Sequence, residues 1–387
     1  MKNLFQFIFG ILLFGLIVLP AQAAFKALYV FGDSLSSTTD NSYVGSLYYG
    51  QRDSNGRVWI EVLAQRQGLI YDATKNNSYW NHTSAQVVTD VQNFTAPTNV
   101  ANGLFVVWVC NADTFDAASV PDNSAQWIAA NIQSQANHLQ IITNLYAKGV
   151  RNLILPNAVD ISEIPAFNAG TAWTGIEHAG CVDYNTRFSN TINQARALCP
   201  GLTIYAPDFF SLMNNVLTNA ASYGLTNALA NGYSIDAIDA SYRVPKNFPP
   251  AVINGYGTNF IFWDPQDPTA KFHEVIADVV QQIISPVQIS QITALTGSNR
   301  LDVVNMPVGL NGFVDNSTNL TQASWTAIQS ITSTNTTQSV FVLTPVITNT
   351  SSGFVSADQI GLPPGGTPVL TALQFYRLHF PYAWNWP

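Results

Sequence analysis

The feature that most constrains the fold of this chain is an apolar run that ends in a serine. Tyr29, Val30 and Phe31 are followed by the sequence Gly-Asp-Ser-Leu at positions 32–35. This pattern predicts a buried strand that turns sharply into a helix, with Ser34 at the turn. Such a turn exposes the serine hydroxyl and points helical N–H groups at an approaching anion, which suits a nucleophile. The plainer interpretation is a helix N-cap, since serine and aspartate are preferred there.

Apolar runs that predict strands alternate with stretches that predict helices from residue 24 to residue 286. This alternation indicates an α/β fold, because such strands form a parallel sheet joined by right-handed crossovers. Ligands bind such sheets at the carboxyl ends of the strands, where Ser34 and the residues after Val109 both fall. The predicted strands cover residues 26–31, 104–109, 150–156 and 202–206, and the predicted helices cover 57–67, 124–148, 183–198, 208–217 and 268–284.

A second block, Ser-Asn-Gly-Arg-Val-Trp at positions 54–59, leads into the first of these helices. Together, the blocks at 32–35 and 54–59 resemble the opening of the GDSL-type (SGNH) hydrolases, and the resemblance covers residues 25–285. It implies a flavodoxin-like, doubly wound parallel sheet and an esterase or lipase that needs no cofactor. It also implies that Ser34 is the nucleophile and forms an acyl-enzyme.

The base of the resembled family is the histidine of an Asp-x-x-His-Pro-Thr block, and here that block differs. Residues 264–269 read Asp-Pro-Gln-Asp-Pro-Thr, so Asp264 matches the orienting aspartate while Asp267 takes the position of the histidine. A carboxylate with a pKa of about 3.9 accepts protons poorly at neutral pH. Repulsion between two neighbouring carboxylates, however, raises the pKa of one of them. His273 is the other candidate base, but a structural role inside the last helix is favoured. The catalytic candidates are therefore Ser34, Asp264, Asp267 and His273.

Two further blocks of the family supply donors that stabilise an oxyanion, and both are altered here. The block that normally reads Gly-x-Asn-Asp is Cys-Asn-Ala-Asp at residues 110–113, which places Asn111 one position early. Asn111 donates to an oxyanion only if a local bulge turns it into the cleft; otherwise that donor is missing. In the other block, the backbone N–H of Ser84 is the nearest counterpart of a glycine donor. The resemblance therefore implies Ser34, Ser84 and Asn111 as oxyanion donors.

The sequence changes character after residue 286. Short β-prone runs separated by Gly, Pro, Asn and Thr replace the long helices. This pattern predicts a small all-β domain, similar to a sandwich, over residues 287–387. The aromatic tail at residues 380–387 fits packing against its own domain better than it fits a sugar-binding platform.

The first 23 residues have the pattern of a cleaved signal peptide. Lys2 precedes an apolar run from Leu4 to Leu19, and Ala-Gln-Ala at positions 21–23 forms a cleavage site with small residues. No later apolar run is long enough to span a bilayer. We therefore expect a secreted or periplasmic protein with three parts: a signal peptide at 1–23, a hydrolase domain at 24–286 and a β-rich accessory domain at 287–387.

Charge and cysteine content limit which partners, metal sites and disulfides the sequence allows. A net charge of −8 disfavours nucleic acid as a partner. No cluster of cysteine and histidine has the spacing of metal ligands, so no metal site is predicted. Cys110 ends an apolar strand and is expected to be a buried thiol. Cys181 and Cys199 flank a predicted helix and are candidates for a disulfide in an oxidising compartment.

Three functions are compatible with the sequence. The first is an esterase or lipase acting on a small-molecule, lipid or glycan ester. The second is a catalytically impaired relative that binds such an ester in the same cleft, because the base and one oxyanion donor are displaced. The third is a cell-surface adhesion module dominated by the β-rich C-terminal region.

Overall fold

A computed structural model of the chain describes six stretches of sequence. The predicted signal peptide and the end of the aromatic tail, residues 383–387, lie outside the described residues. The described residues are 25–41, 46–119, 124–168, 174–318, 325–343 and 374–382.

The central sheet consists of five parallel strands: β1 (Ala27–Gly32), β2 (Asn76–Ser78), β3 (Gly103–Trp108), β4 (Asn152–Ile154) and β5 (Thr203–Tyr205). Their order, β2-β1-β3-β4-β5, is the flavodoxin-like order and confirms the doubly wound fold. Strand β3 is buried at every position, as expected for a strand covered on both faces. Strand β2 has the polar sequence Asn-Asn-Ser and no β-prone pattern, and its pairing with β1 fixes it. A separate hairpin is formed by β6 (Leu229–Ala230) and β7 (Tyr233–Ser234).

The described α-helices are α1 (Trp59–Arg66), α2 (Ser84–Asn93), α3 (Cys110–Ala118), α4 (Ser124–Ala147), α5 (Thr174–Leu198), α6 (Phe209–Thr218), α7 (Ala237–Arg243) and α8 (Ala270–Ile284). Helix α1 packs against α8, while α4 packs against both α2 and α5. The two groups enclose the sheet, and its apolar strands form one large core with the inner faces of the helices. Within the described part of the chain, no helix combines the length and apolar character needed to cross a membrane.

Helix α5 shows why some boundaries differ from those predicted. It begins at Thr174 rather than at Asp183, and Gly180 lies within the added part. Glycine lowers helix propensity, yet a Cβ at Gly180 would lie only 2.3 Å from Cε3 of Trp127 in α4. The close approach of α4 and α5 thus requires glycine here. Tertiary packing, which the local sequence does not encode, stabilises this half of the helix.

The candidate disulfide between Cys181 and Cys199 is not formed. Cys181 lies inside α5 and Cys199 directly follows the helix, so roughly 27 Å of helix separates them at about 1.5 Å per residue. A disulfide requires Cα atoms less than about 7 Å apart. Both thiols are free and buried, as is that of Cys110, whose buried position was predicted.

The described C-terminal region contains six antiparallel strands: β8 (Gln288–Leu295), β9 (Ser298–Val304), β10 (Asn311–Ser317), β11 (Thr326–Thr332), β12 (Thr337–Leu343) and β13 (Phe375–His379). They form two sheets with the orders β12-β9-β8 and β11-β10-β13. A core of its own, which includes Leu301, Val314 and Val340, lies between them. The all-β character of this region is therefore confirmed.

Arg66 joins the α/β unit to the β-rich region. Its backbone carbonyl accepts a hydrogen bond from the N–H of Val308 at 3.1 Å. Its guanidinium donates to the carbonyl of Val308 at 3.4 Å and to Oδ1 of Asp278 at 2.8 Å. The side chain of Asp278 is fully buried, so this ion pair depends on partners from α1 and α8 being correctly placed.

Candidate active site

Ser34 lies directly after β1, in a short 3-10 turn over Ser34–Ser36. The residue that caps this turn is Asp33, whose Oδ1 accepts the N–H of Leu35 at 3.2 Å. The hydroxyl of Ser34 is therefore not used for capping. Gly32 is needed at the bend, because a Cβ there would lie 2.8 Å from Oγ of Ser78 and 3.1 Å from the carbonyl oxygen of Trp108. The strand thus presents Ser34 at the carboxyl edge of the sheet, next to the switch point between β1 and β3.

The hydroxyl of Ser34 donates a hydrogen bond to Oδ1 of Asp267 at 2.9 Å. Both side chains are buried, with 8% of Ser34 and 3% of Asp267 exposed. Burial raises the pKa of Asp267 well above its ordinary value, and the nearby charges of Asp264 and Asp53 raise it further. The residue at the position of the family histidine therefore contacts the serine hydroxyl and is a stronger base than an exposed carboxylate.

Asp264 holds the turn that carries Asp267. Its Oδ1 accepts the backbone N–H of Gln266 at 3.0 Å and that of Asp267 at 2.8 Å. Its Oδ2 accepts the phenolic hydrogen of Tyr48 at 3.0 Å. Asp264 therefore positions the backbone of Asp267 instead of bonding to an imidazole. Burial raises the pKa of Asp264 as well.

No imidazole contacts the hydroxyl of Ser34, although all five histidines lie in described stretches. His273 is buried inside α8, and burial lowers its pKa to about 3, so its ring is neutral. Its Nδ1 has no hydrogen-bond partner in the described structure. The other four histidines are paired elsewhere: His82 with Asp90, His138 with Ser134, His178 with Asp160 and His379 with Asp315.

Asn111 lies in the first turn of α3 and lines the same cleft as Ser34. Its Oδ1 accepts the N–H of Val159 at 3.0 Å, which fixes the orientation of the amide. Its Nδ2 is buried and has no acceptor among the described residues. An unpaired buried donor is costly, so this amide is available to a ligand oxygen in the cleft. Because α3 begins at Cys110, Asn111 lies in the first turn of this helix and lines the cleft. The bulge expected from the sequence is therefore not needed.

Ser84 is not brought to this cleft. Its N–H donates to Oδ1 of Asp113 at 2.8 Å, and its hydroxyl accepts from Asn137 at 3.0 Å. The loop before α2 instead places Asn81 beside Ser34, with a φ of 55°. Asparagine tolerates this left-handed conformation better than most residues do. The residue type at position 81 is therefore the sequence signal for this turn.

The cleft of Ser34 has two different sides. One side contains Asn111, Phe115 and Phe167, and it borders a narrow pocket lined almost entirely by apolar residues. The other side, which we call the acidic cavity, is lined by Asp40, Asn41, Tyr48, Asp53, Trp80, Asp264, Pro265, Gln266 and Asp267.

The acidic cavity is assembled only by the tertiary structure, because its residues come from separate segments of the chain. Nothing in the sequence indicates that Asp53 and Tyr48 belong to the site. Burial, together with the charges of Asp264 and Asp40, raises the pKa of Asp53 to about 7. In the described residues, no three His, Cys, Asp or Glu side chains are arranged as metal ligands.

Comparisons with known proteins identify the family of this chain. The family model for GDSL-like lipases/acylhydrolases matches residues 28–280. One GDSL esterase/lipase of Arabidopsis thaliana is 23% identical over 311 residues, which are 65% of this chain and 87% of that protein. Another is 21% identical over 333 residues, 68% of this chain and 87% of that protein.

Among solved structures, an acetylxylan esterase from Geobacillus stearothermophilus is 12% identical, with a TM-score of 0.38, and the match covers 67% of this chain and 94% of that one. The family model alone spans well over half of the chain and includes both the Ser34 and the Asp267 blocks. The chain therefore belongs to the GDSL-like lipase/acylhydrolase family.

Proposed function

We propose that this protein is an exported serine hydrolase that cleaves carboxylic esters through an acyl-enzyme on Ser34, with Asp267 as the base. The observation that carries the proposal is the hydrogen bond from the Ser34 hydroxyl to Asp267 at 2.9 Å. It joins a nucleophile to a buried proton acceptor within the distance that general-base catalysis requires.

The reaction follows from this contact. The Oγ of Ser34 attacks the ester carbonyl while its proton passes to Asp267. When the tetrahedral intermediate collapses, the bond to the alcohol oxygen breaks and Asp267 returns the proton to that oxygen. Water then attacks the acyl-enzyme by the same route, with Asp267 again accepting a proton and returning it to Ser34 as the acid leaves.

The elevated pKa of Asp267 makes this role chemically reasonable. An ordinary carboxylate is too weak a base to activate a serine near neutral pH. Desolvation of Asp267, followed by repulsion from Asp264 and Asp53, destabilises its ionised form and increases its proton affinity. Ionised Asp267 is therefore more basic, although it exists only above this elevated pKa.

The charge that develops on the carbonyl oxygen meets two donors. The Nδ2 of Asn111 is buried and unpaired in the described structure. The backbone N–H of Ser34 is the second donor, as the family resemblance implies. Donors that are fixed before the reaction stabilise an oxyanion without reorganisation. Asn81 lines the same cleft.

A fluorophosphonate probe tests the function directly. We expect a covalent adduct on Ser34, located by peptide mass spectrometry, together with turnover of p-nitrophenyl acetate. Ser34→Ala removes both signals and, as the matched control, leaves the circular dichroism spectrum unchanged. Absence of an adduct between pH 5 and 9 would end the proposal.

Export is tested separately. The proposed signal peptide predicts a mature protein that begins at Ala24 and is recovered outside the cytoplasm. Mass spectrometry of the mature N-terminus checks both points, and an intact Met1 on the recovered protein contradicts them.

The absence of an imidazole beside Ser34 favours a second candidate, a catalytically impaired protein that binds an ester in this cleft. Under this alternative, the wild type binds a non-hydrolysable ester analogue but shows no turnover. Asp267→His would then produce measurable hydrolysis, because it supplies the missing base at the position that contacts Ser34.

A further inference from the structure

The acidic cavity has a chemical character that ester hydrolysis alone does not explain. It measures about 480 Å³, within the range of ligand pockets of roughly 300–1,000 Å³. Four aspartates line it, namely Asp40, Asp53, Asp264 and Asp267, and no lysine or arginine is among its described lining residues. A cavity with four carboxyl groups and no basic group among its described lining residues favours a positively charged ligand.

The proposed function determines which part of the substrate enters this cavity. The group that accepts the Ser34 proton must return it to the oxygen of the leaving alcohol, so that oxygen lies beside Asp267. Asp267 lines the acidic cavity, whereas Asn111, the proposed oxyanion donor, lines the cleft on the other side of Ser34. The alcohol portion of the ester therefore extends into the acidic cavity.

An unpaired atom of a residue that lines the cavity points to a bound group independently of the charge count. Asp53 is only 7% exposed, and its buried Oδ2 has no hydrogen-bond partner in the described structure. A buried carboxylate oxygen without a partner is costly unless a ligand compensates it. Tyr48 donates a hydrogen bond to Asp264, and Tyr48, Asp53 and Asp264 all line the cavity.

Aromatic residues complete a surface suited to an organic cation. Trp80 lines the cavity and is 58% exposed, and its backbone N–H donates to Oδ2 of Asp40 at 2.8 Å. Exposed tryptophan faces bind ammonium groups through cation–π attraction, which adds to the attraction of carboxylates. The carboxylates are not arranged as metal ligands in the described residues, so the site suits an extended cation better than a metal ion.

We propose that the natural substrate is an ester whose alcohol carries a quaternary ammonium cation, held in the acidic cavity by Asp53, Asp40 and Trp80. This inference rests on the proposed function. It also accounts for an aspartate as the base, because a cation beside Asp267 stabilises the ionised carboxylate that activates Ser34. Substrate binding and activation of the base are thereby coupled.

The test compares two esters of the same acid, the choline ester and its neutral carbon isostere, the 3,3-dimethylbutyl ester. We expect kcat/KM to favour the choline ester by about tenfold or more at low ionic strength, and this ratio to fall as salt is added. Asp53→Asn, which keeps the side-chain shape, lowers the ratio severalfold. The matched control is Asp116→Asn, which removes the same charge from the other side of the Ser34 cleft and leaves the ratio unchanged.

Inhibition provides a second measurement that does not depend on the variants. Tetramethylammonium chloride should inhibit hydrolysis of the neutral ester competitively in the wild type, while sodium chloride at the same ionic strength does not. Equal kcat/KM for the two esters, or no effect of tetramethylammonium, would overturn the inference while ester hydrolysis stands. No turnover of either ester and no adduct on Ser34 would overturn the proposed function itself.

Discussion

Ser34 and Asp267 lie 233 positions apart in the chain, and the hydroxyl of the first donates to the carboxylate of the second at 2.9 Å. The contact places a carboxylate where the resembled family has an imidazole. Burial and two neighbouring carboxylates give that carboxylate the proton affinity that an exposed aspartate lacks. The following predictions depend on this contact and on the residues around it.

Removing the carboxylate of Asp267, the proposed base, should reduce turnover strongly. Asp267→Asn keeps the shape but cannot accept the Ser34 proton, so kcat should fall by about 10² to 10⁴-fold. Asp267→His restores an imidazole and should show an acid limb near its own pKa of about 6.5. Steady-state kinetics with p-nitrophenyl acetate from pH 5 to 9 measure both effects. Unchanged turnover in Asp267→Asn would show that another group is the base.

The pH dependence of the wild type should report the elevated pKa of Asp267. Activity requires the ionised carboxylate, so it should be low in acid and rise with pH through a midpoint well above the value of an ordinary aspartate. Asp53→Asn removes one of the charges that raise this pKa and should move the acid limb of kcat/KM to lower pH. A limb that stays in place in this variant would exclude repulsion from Asp53 as a cause.

Asn111 should contribute mainly to the transition state. Asn111→Ala removes the unpaired Nδ2 donor and should lower kcat by about 10² to 10³-fold with little change in KM. Asn111→Asp keeps the Oδ1 that accepts from Val159 but replaces the donor with an oxygen, so it should be at least as inactive. A loss that appears in KM alone would contradict the assignment.

Stability should depend on pH through Asp53. Its pKa is about 7 in the folded protein and near 3.8 when unfolded, so at intermediate pH the folded state binds more protons. The resulting stabilisation is complete below about pH 4 and is lost as the pH rises through 7. Asp53→Asn should therefore be more stable than the wild type at pH 8, by up to about 4 kcal/mol, with no such gain at pH 4. Urea unfolding at the two pH values measures the difference.

The ion pair between Arg66 and Asp278 should be important for folding. Asp278→Asn leaves a buried guanidinium without its counterion, which should lower the free energy of unfolding by about 3–5 kcal/mol. The control is Asp72→Asn at the exposed pair with Lys75, where we expect little change. Similar unfolding midpoints for the two variants would contradict the prediction.

Local sequence was enough to predict the principal elements of the α/β unit. The apolar run before Gly32 predicts β1, and the serine after it is presented as expected because a strand followed by a tight turn is a local property. The continuous apolar run over 104–109 likewise predicts the buried strand β3. The elements without such patterns, β2 and the first half of α5, depend on partners that lie far away in the chain.

The sequence by itself indicated the candidate residues for the chemistry: a serine after the first strand, and an aspartate at 267 in place of a histidine. It left open whether His273 or Asp267 is the base and where Asn111 points, because both depend on contacts between distant segments. The tertiary structure placed Asp267 against Ser34, buried His273 away from it, and gathered Asp40, Asp53 and Tyr48 into one cavity. The physical reason is that turns and strands follow from neighbouring residues, whereas desolvation and charge repulsion exist only once the chain has folded.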